Sequence, residues 1–342
     1  MPLDRVSTLR VATINCLNLA LAGRRTYEGF APYTPDEYIA KTQWLATLLD
    51  RLAAEFVLVQ EVFHEQALSD VVRQTASRGR AFGLAAPFAD ENNTKPRLGL
   101  IWRHPWQPRI ESIVDLPPGC AVQVPERGEH AQFSRPLLRA IVGLPNGAAL
   151  TLLNVHLKSR RPEYVEGENR DDPYAEARAQ LRSLIIRGAE AAAVRRLVVE
   201  WTRDSRAPLI VAGDFNDAPG AVTTRIVADT SWAPADRAQR DCMLFDALDV
   251  VRRPAPGCGR DVGYTVLHGG EPERIDHVLV SEEFVAQSKR AIGHVASVEI
   301  LADHLVERGR AALLAADPNG TDLSRIFPDH AAVCVAIVLG GQ

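Results

Sequence analysis

The chain has 342 residues, of which 46% are hydrophobic and 24% are charged, and its formal net charge is −4. This composition is typical of a globular protein with a large core, and the acidic balance disfavours a protein that holds nucleic acid mainly by non-specific attraction. The five cysteines show no zinc-ligand spacing, which favours reduced thiols. With no apolar segment long enough to span a membrane and no visible signal peptide, we expect a cytoplasmic protein, unless a leader has been removed.

The first predicted elements are a strand, a helix and a second strand. Apolar runs predict strands over residues 9–15 and 56–60. Between them, Thr34 and Glu37 form a capping box with Pro35 at the first helical position, so a helix begins there. The predicted inner face of this helix is rich in leucine: Leu45, Leu48, Leu49 and Leu52.

The middle of the chain predicts two strand pairs. Residues 98–103 and 110–115 are expected to form strands joined by a proline-containing turn. Residues 137–144 and 149–157 are expected to form a hairpin, because Asn146-Gly147 is a strong turn signal.

A long helix is predicted after Asp172, with one apolar face and one arginine-bearing face. The residues placed on the apolar face are Leu181, Leu184, Ile185, Gly188, Ala192, Leu197, Val198 and Trp201. The residues placed on the outer face are Arg178, Arg182, Arg195 and Arg196.

The last predicted elements are strands over 275–280 and 331–339, with helical patterning over 298–314 between them. Strands and helices alternate throughout, and neither a repeat nor a linker is visible. We therefore expect a single α/β domain spanning residues 1–342, in which about 160–205 form a loop plus long helix insertion.

Polar residues stand where the predicted strands end or begin. The clearest case is Gly213-Asp214-Phe215-Asn216, directly after the apolar run 209–212. The other strand-end residues are Asn15, Gln60, Glu61, Asn154, His156, Arg274, Asp276, Asp329 and His330. Each has an ordinary structural explanation as a turn former, a cap or a core residue. Together they favour a site for a hard cation and a phosphate.

Six short segments, in order, resemble the endonuclease/exonuclease/phosphatase superfamily: TINCLN, LVQEV, LNVHLKS, GDFND, RIDHVLVS and PDHAAV. They extend over nearly the whole chain. The resemblance implies a four-layer α/β/β/α sandwich with two facing mixed β-sheets. It also implies a Mg²⁺- or Mn²⁺-dependent phosphoesterase that uses an in-line water.

The resemblance assigns a role to each matching residue. Glu61 corresponds to the principal Mg²⁺ ligand, and Asn15 and Asp329 to groups at or next to the metal. The catalytic candidates are His156, Asp214, Asn216, Asp276 and His330. Among these, Asp214 and Asn216 correspond to residues that orient water and hold a phosphoryl oxygen. His330, with Asp276 as its partner, corresponds to the histidine that contacts the phosphate or activates water, and His156 to the one near the scissile phosphate and the leaving group.

The leading substrate class is a nucleic-acid phosphodiester, hydrolysed without an obligate protein partner. The acidic charge supports an alternative, a small-molecule or lipid-head-group phosphate. A non-catalytic binding module is disfavoured because the candidate set is intact. The substrate-binding candidates are Lys158, Arg160, Arg161 and Arg178, which equally suit a solvated basic surface. For a second pair, Asp303-His304, we favour a structural role.

Overall fold

The computed structural model describes residues 7–27, 29–87, 95–205, 207–228, 241–251, 263–268, 270–307 and 323–340. These residues form two six-stranded mixed sheets with helices on their outer faces. The predicted four-layer sandwich is confirmed. Among the described residues, no helix is long and apolar enough to cross a membrane.

The first sheet, sheet A, has the strand order β15-β16-β1-β2-β4-β3. Its strands are β1 (Ser7–Leu19), β2 (Phe56–Val62), β3 (Phe82–Ala85), β4 (Arg97–Arg103), β15 (Gly293–Leu301) and β16 (Ala332–Leu339). β1 and β2 run parallel, and β16 lies antiparallel to β1.

The second sheet, sheet B, has the strand order β11-β14-β10-β9-β8-β5. Its strands are β5 (Arg109–Asp115), β8 (Gln132–Gly143), β9 (Ala149–His156), β10 (Leu209–Asp214), β11 (Leu244–Asp246) and β14 (Asp276–Ser281). Two separate hairpins are β6 (Val122–Val124) with β7 (Gly128–His130), and β12 (Val266–His268) with β13 (Glu271–Glu273).

The main helices are α1 (Pro35–Leu52), α2 (Glu65–Arg73), α3 (Pro173–Thr202), α4 (Val222–Ala228) and α5 (Ala247–Val251). Shorter helical segments follow: a 3₁₀ turn at Glu282–Phe284, α6 at residues 303–307 and α7 at Leu323–Ile326.

Strand alternation creates three apolar layers. In β10, Ile210 and Ala212 face the layer between the sheets, whereas Leu209 and Val211 face α3. A third layer packs α1 and α2 against the outer face of sheet A. Because successive side chains point to opposite faces, two-sided burial requires the continuous apolar runs seen in the sequence.

The capping box of α1 is confirmed. Thr34 Oγ1 accepts a hydrogen bond from Glu37 N at 3.2 Å, and Glu37 Oε2 accepts one from Thr34 N at 2.8 Å. The helix ends at Ala53, which has a left-handed conformation with φ 46°. The predicted inner leucines are all buried: Leu45, Leu48, Leu49 and Leu52.

The predicted faces of α3 are wrong in the N-terminal half of the helix, whereas Leu197 and Val198 are buried and Arg196 is exposed, as predicted. Leu181 and Leu184 are exposed, at 51% and 48%, whereas Arg182 is only 1% exposed. The buried face instead combines alanines, which bring the helix close to sheet B, with Arg182, Arg187 and Glu190. Their charged groups bind main-chain atoms and carboxylates, a requirement that hydrophobic spacing does not reveal. The predicted start is confirmed, since Asp172 accepts from Tyr174 N at 3.0 Å.

Two other predictions require correction. Residues 98–103 and 110–115 are strands, but β4 lies in sheet A and β5 in sheet B, because the chain crosses between the sheets there. Residues 293–301 form β15, so the helical pattern predicted over 298–314 is limited to 303–307 within the described residues. Residues 308–314 lie outside them.

The hairpin of β8 and β9 is confirmed, with Gly147 at φ 84°.

Gly213, in β10, lies against the backbone of Val155 in β9, and we predict that Gly213→Ala will be severely destabilising. An added Cβ would lie 1.9 Å from Val155 O, and the residue has φ 145°. We expect a loss of about 3 kcal/mol in the free energy of unfolding, the upper end for overpacking. Urea titration would measure it.

Gly188→Ala is the matched control, because a Cβ there would meet no atom within 4 Å. This position is inside α3, so alanine should increase stability by about 0.5–1 kcal/mol. Equal effects of the two substitutions would contradict the proposed steric cause.

Candidate active site

The candidate site lies at one edge of the sandwich, between the two sheets. The carboxyl ends of the parallel pairs β1–β2 and β9–β10 meet there. β14 and β16 are antiparallel to β10 and β1, so their amino ends reach the same edge. This topology explains why the candidate residues follow some strands and begin or precede others.

Three candidates form one row across sheet B. Asp214 pairs in register with His156 on one side and with Asp276 on the other. Side chains that are laterally paired share a face, and alternation from Ala212 and Val278 shows that this face points toward sheet A. The row is buried, with His156 at 3%, Asp214 at 1% and Asp276 at 1% exposure.

Asp214 is the centre of the polar contacts. Its Oδ2 accepts from Asn15 Nδ2 at 3.2 Å and lies 3.4 Å from His156 Nε2 and 3.8 Å from His330 Nε2. Its Oδ1 accepts from Asn216 N at 2.8 Å, which fixes the turn after β10. Three nitrogen-bearing side chains therefore surround one carboxylate oxygen.

His330 is oriented by two contacts. Its Nδ1 lies 2.8 Å from Asp276 Oδ2, and its main-chain oxygen lies 2.9 Å from His304 Nε2. Asp303 instead lies on the surface and pairs with Arg51 at 3.3 Å. The second Asp-His pair is thus divided: His304 supports the His330 backbone, while Asp303 makes an exposed ion pair.

Glu61 reaches the site through an unusual backbone conformation. Strand alternation places Phe56 and Leu58 between the sheets, so residue 61 would face the α1–α2 layer. A register shift between Val59 and Val62 and a φ of 61° at Glu61 redirect the side chain. Its Oε1 consequently accepts from Asn15 Nδ2 at 3.2 Å.

The neighbourhood of Glu61 fits a hard cation. Asn18 N donates to Glu61 Oε2 at 2.9 Å, and Asn18 Oδ1 is buried without a hydrogen-bond partner among the described residues. An orphaned amide oxygen beside a carboxylate offers the oxygen ligands that Mg²⁺ prefers. Asp329 lies on the same pocket wall.

A second group of possible ligand atoms comes from Asp214, Asp276 and His330, which lie within 4.8 Å of one another. One nitrogen of His330, Nδ1, is already hydrogen-bonded to Asp276. A hydrogen-bonded pair of this kind is suited to holding a proton, so the oxygen-rich Glu61 side fits a magnesium-type ion better.

A buried amide bridge connects the sheets directly behind the site. Gln60 Nε2, from β2, donates to Asn154 Oδ1 of β9 at 2.6 Å and to Thr13 Oγ1 of β1 at 3.0 Å. Asn154 Nδ2 in turn donates to Val59 O and Gly99 O, at 3.0 and 2.9 Å. All three side chains are fully buried.

The two histidines have opposite electrostatic environments. Burial, reinforced by the charges of Arg135 and His330, holds the pKa of His156 well below its usual value. Burial also opposes charge on His330, but the carboxylates of Asp276 and Asp214 outweigh it and raise that pKa well above its usual value. Burial raises the pKa of Asp214 to about 7, against the effect of His330.

A pocket of about 700 Å³ opens over this edge. The predicted site residues on its wall are Glu61, His156, Lys158, Arg160, Arg161, Asp214, Asn216, Asp329 and His330. Asn15 and Asp276 lie behind the wall. Asn15 is hydrogen-bonded to Asp214, and Asp276 is hydrogen-bonded to His330. Arg178 lies elsewhere and binds Glu126 and Glu168.

The basic wall residues have acidic neighbours. Lys158 Nζ lies 3.0 Å from Glu163 Oε2, and Arg160 contacts Glu273 at 2.7 Å and Asp217 at 3.3 Å. The positive charge predicted for a polyanion clamp is therefore largely neutralised within the protein.

Among the wall residues that sequence reasoning missed are Tyr27 and Arg135. Arg135 lies on β8 and donates from Nη1 to Leu157 O at 3.4 Å, next to His156. Neither residue is at a strand end, so their spacing carried no signal. Only the lateral pairing of β8 with β9 brings Arg135 to the edge.

Two facing mixed sheets with buried aspartate–histidine contacts at their common edge define a class of protein, the α/β/β/α phosphoester hydrolases. The chain belongs to the Endonuclease/Exonuclease/phosphatase family, whose model matches residues 12–304. The resemblance inferred from the six segments is confirmed. No curated protein sequence matches the chain.

Solved structures share the fold at low sequence identity. An endonuclease/exonuclease/phosphatase from Bacteroides vulgatus is 14% identical, with a TM-score of 0.55 over 98% of this chain and 100% of that chain. A mannosyl-6-phosphatase from Bacteroides thetaiotaomicron is 14% identical, with a TM-score of 0.53 over 97% and 100%. A humanized D. rerio TDP2 is 15% identical, with a TM-score of 0.53 over 96% and 98%.

We predict that His330→Ala and Asp214→Asn will each lower kcat by at least about 10²-fold, the scale of a lost positioned acid, base or charge. Both groups face the pocket, so removing them should change catalysis far more than the thermal midpoint. The measurement is hydrolysis of bis-p-nitrophenyl phosphate with Mg²⁺.

Asp303→Ala serves as the control, because it removes the exposed carboxylate of the second Asp-His pair, Asp303-His304. It should leave kcat within about twofold, because exposed ion pairs contribute little. A larger loss for Asp303→Ala than for His330→Ala would show that the wrong pair had been chosen.

Proposed function

We propose that the protein is a metal-dependent phosphoesterase that hydrolyses its substrate by in-line attack of water. The observation that carries this proposal is the continuous set of contacts from Asp276, behind the wall of an open pocket, through His330 and Asp214 to His156, which lie on that wall. Four titratable groups in one buried edge are costly unless they perform chemistry.

The opposite pKa shifts suggest a division of labour. The carboxylates of Asp276 and Asp214 raise the pKa of His330 and so favour its charged form, which suits binding and stabilising an anionic phosphoryl oxygen. Asp214, whose pKa is near 7, is poised to accept a proton from the attacking water. Asn216 adds a donor without adding repulsive charge. Burial lowers the pKa of His156 and so favours its neutral form, and its position on the other side of Asp214 suits it to the leaving-group side.

Glu61, Asn18 and Asp329 are the residues that would hold the divalent cation. Asn15 acts beside them, because it donates to both Glu61 and Asp214 and thereby keeps the two carboxylates together. When bound, Mg²⁺ or Mn²⁺ neutralises charge on the phosphate and on the attacking oxygen. The remaining work of orientation and proton transfer falls to the protein side chains.

We predict that activity will disappear in EDTA and return with Mg²⁺ or Mn²⁺. Glu61→Gln should raise the concentration of Mn²⁺ needed for half-maximal activity by at least about tenfold, since a charged ligand is lost. Titration calorimetry should show a parallel loss of Mn²⁺ affinity. Full activity after exhaustive dialysis against EDTA would rule out the metal assignment.

For the substrate class, the geometry favours a compact phosphoester bound within the pocket. The ion pairs of Lys158 and Arg160 neutralise two of the basic side chains on the pocket wall, which reduces the positive charge that could follow a long polyanion. A nucleic-acid phosphodiester is the second candidate. Arg161 supports it, because this exposed pocket residue forms no ion pair with a carboxylate among the described residues. The fold relatives include a sugar-phosphate phosphatase and TDP2, so the fold is compatible with both classes.

We predict that Arg161→Ala will change KM for a small diester and for a single-stranded oligonucleotide by similar factors, within about threefold. The salt dependence of both reactions should be shallow, because few phosphate contacts release counterions. A steep salt slope for the oligonucleotide, together with a selective rise in its KM, would instead support the nucleic-acid class.

A further inference from the structure

We propose that the inward polar face of α3 is a template that positions the pocket-wall segment 158–163. The template consists of Arg182, Ser183, Arg187 and Glu190. These residues lie at spacings that bring them to one side of the helix, and all four are buried. As positioning residues they act on substrate binding only through the segment, so this role rests on the proposed phosphoesterase function.

The template binds the main chain of the segment from end to end. At one end, Lys158 N donates to Glu190 Oε2 at 2.7 Å, and Arg187 Nη1 donates to Lys158 O at 3.3 Å. In the middle, Ser183 Oγ donates to Arg161 O. At the other end, Arg182 Nε donates to Glu163 O at 2.7 Å, and Glu163 N donates to Ala179 O at 2.9 Å.

The same residues connect the segment to the rest of the site. Glu190 Oε1 accepts from Ser134 N at 2.7 Å, which holds the main chain next to Arg135. Arg187 Nε donates at 3.2 Å to Asp217, whose carboxylate also contacts Arg160. One helix face therefore sets the positions of Arg135, Lys158 and Arg160 relative to His156.

Main-chain recognition explains why this face is polar. The segment contributes its side chains to the pocket and makes no β-sheet hydrogen bonds of its own, so its peptide groups need other partners. Buried Arg182 is further paired with Glu126 and Glu168. An apolar helix face would cover the segment without fixing it.

The test uses two substitutions with matched controls on the same helix. Ser183→Ala removes a single hydroxyl contact, and Thr202→Ala removes a buried hydroxyl that bonds only within α3, to Val198 O. Glu190→Gln leaves one main-chain N–H facing an amide NH₂, and Glu200→Gln changes an exposed glutamate. Native-state trypsin cleavage after Lys158 and Arg160 reports release of the segment without any reference to activity.

We expect cleavage at these two bonds to be about fivefold faster in Ser183→Ala, the factor for one ordinary hydrogen bond, and faster still in Glu190→Gln. Neither control substitution should change the rate of trypsin cleavage. KM for bis-p-nitrophenyl phosphate should rise about three- to tenfold in Ser183→Ala while kcat stays within about twofold. Ser183→Ala is expected to fold even if Glu190→Gln does not.

Unchanged cleavage in Ser183→Ala would overturn the template, whatever the enzyme activity. Faster cleavage with unchanged KM would overturn the role of the segment in substrate binding. If the unsubstituted protein hydrolyses no phosphoester, the proposed function fails, and the cleavage rates still decide whether α3 positions the segment.

Discussion

The amide bridge between Gln60 and Asn154 is the contact on which the geometry of the site depends. It is one of few polar contacts described between two sheets that otherwise meet through apolar side chains, which fix distance but not alignment. Gln60 immediately precedes Glu61, and Asn154 lies two residues before His156. A sliding of one sheet over the other would leave buried amides without partners, a penalty of about 1–3 kcal/mol for each group. Hydrogen bonding therefore aligns the two halves of the site.

The buried charged side chains of this protein lie where they contact peptide groups or other charged side chains. The edge between the sheets brings together carboxylates and imidazoles that repel or attract one another strongly, and Asn15 bridges two of the carboxylates by donating a hydrogen bond to each. Behind the segment after His156, the buried side of α3 supplies charged groups to peptide N–H and C=O groups. Both arrangements sacrifice apolar burial for directional contacts, as expected when positions must be defined more sharply than packing alone can define them.

The sequence was sufficient to predict most of the strands and the strand-end residues, because buried strands and turn residues have strong local patterns, whereas the sandwich class followed from the resemblance of the six segments. It was insufficient where the sheet to which a strand belongs, or the burial of a side chain, depends on the element packed against it. The strands at 98–103 and 110–115 have similar patterns but lie in different sheets. Leu181 and Arg182 exchange their expected environments because main-chain groups across the interface attract the arginine. Arg135 is brought to the site only by strand pairing. The single-domain organisation and the residue roles stay predictions.

The left-handed backbone at Glu61 has a thermodynamic consequence. This conformation is unfavourable for a residue with a side chain. Contacts of the folded chain, among them the hydrogen bonds from Asn15 and Asn18 to the Glu61 carboxylate, offset that cost and hold the carboxylate at the edge. The affinity for a ligand at Glu61 and the stability of the bulge in β2 are therefore thermodynamically linked. Relaxation of the bulge would weaken binding at Glu61 even if every ligand atom remained chemically intact, and a bound ligand would in turn resist that relaxation.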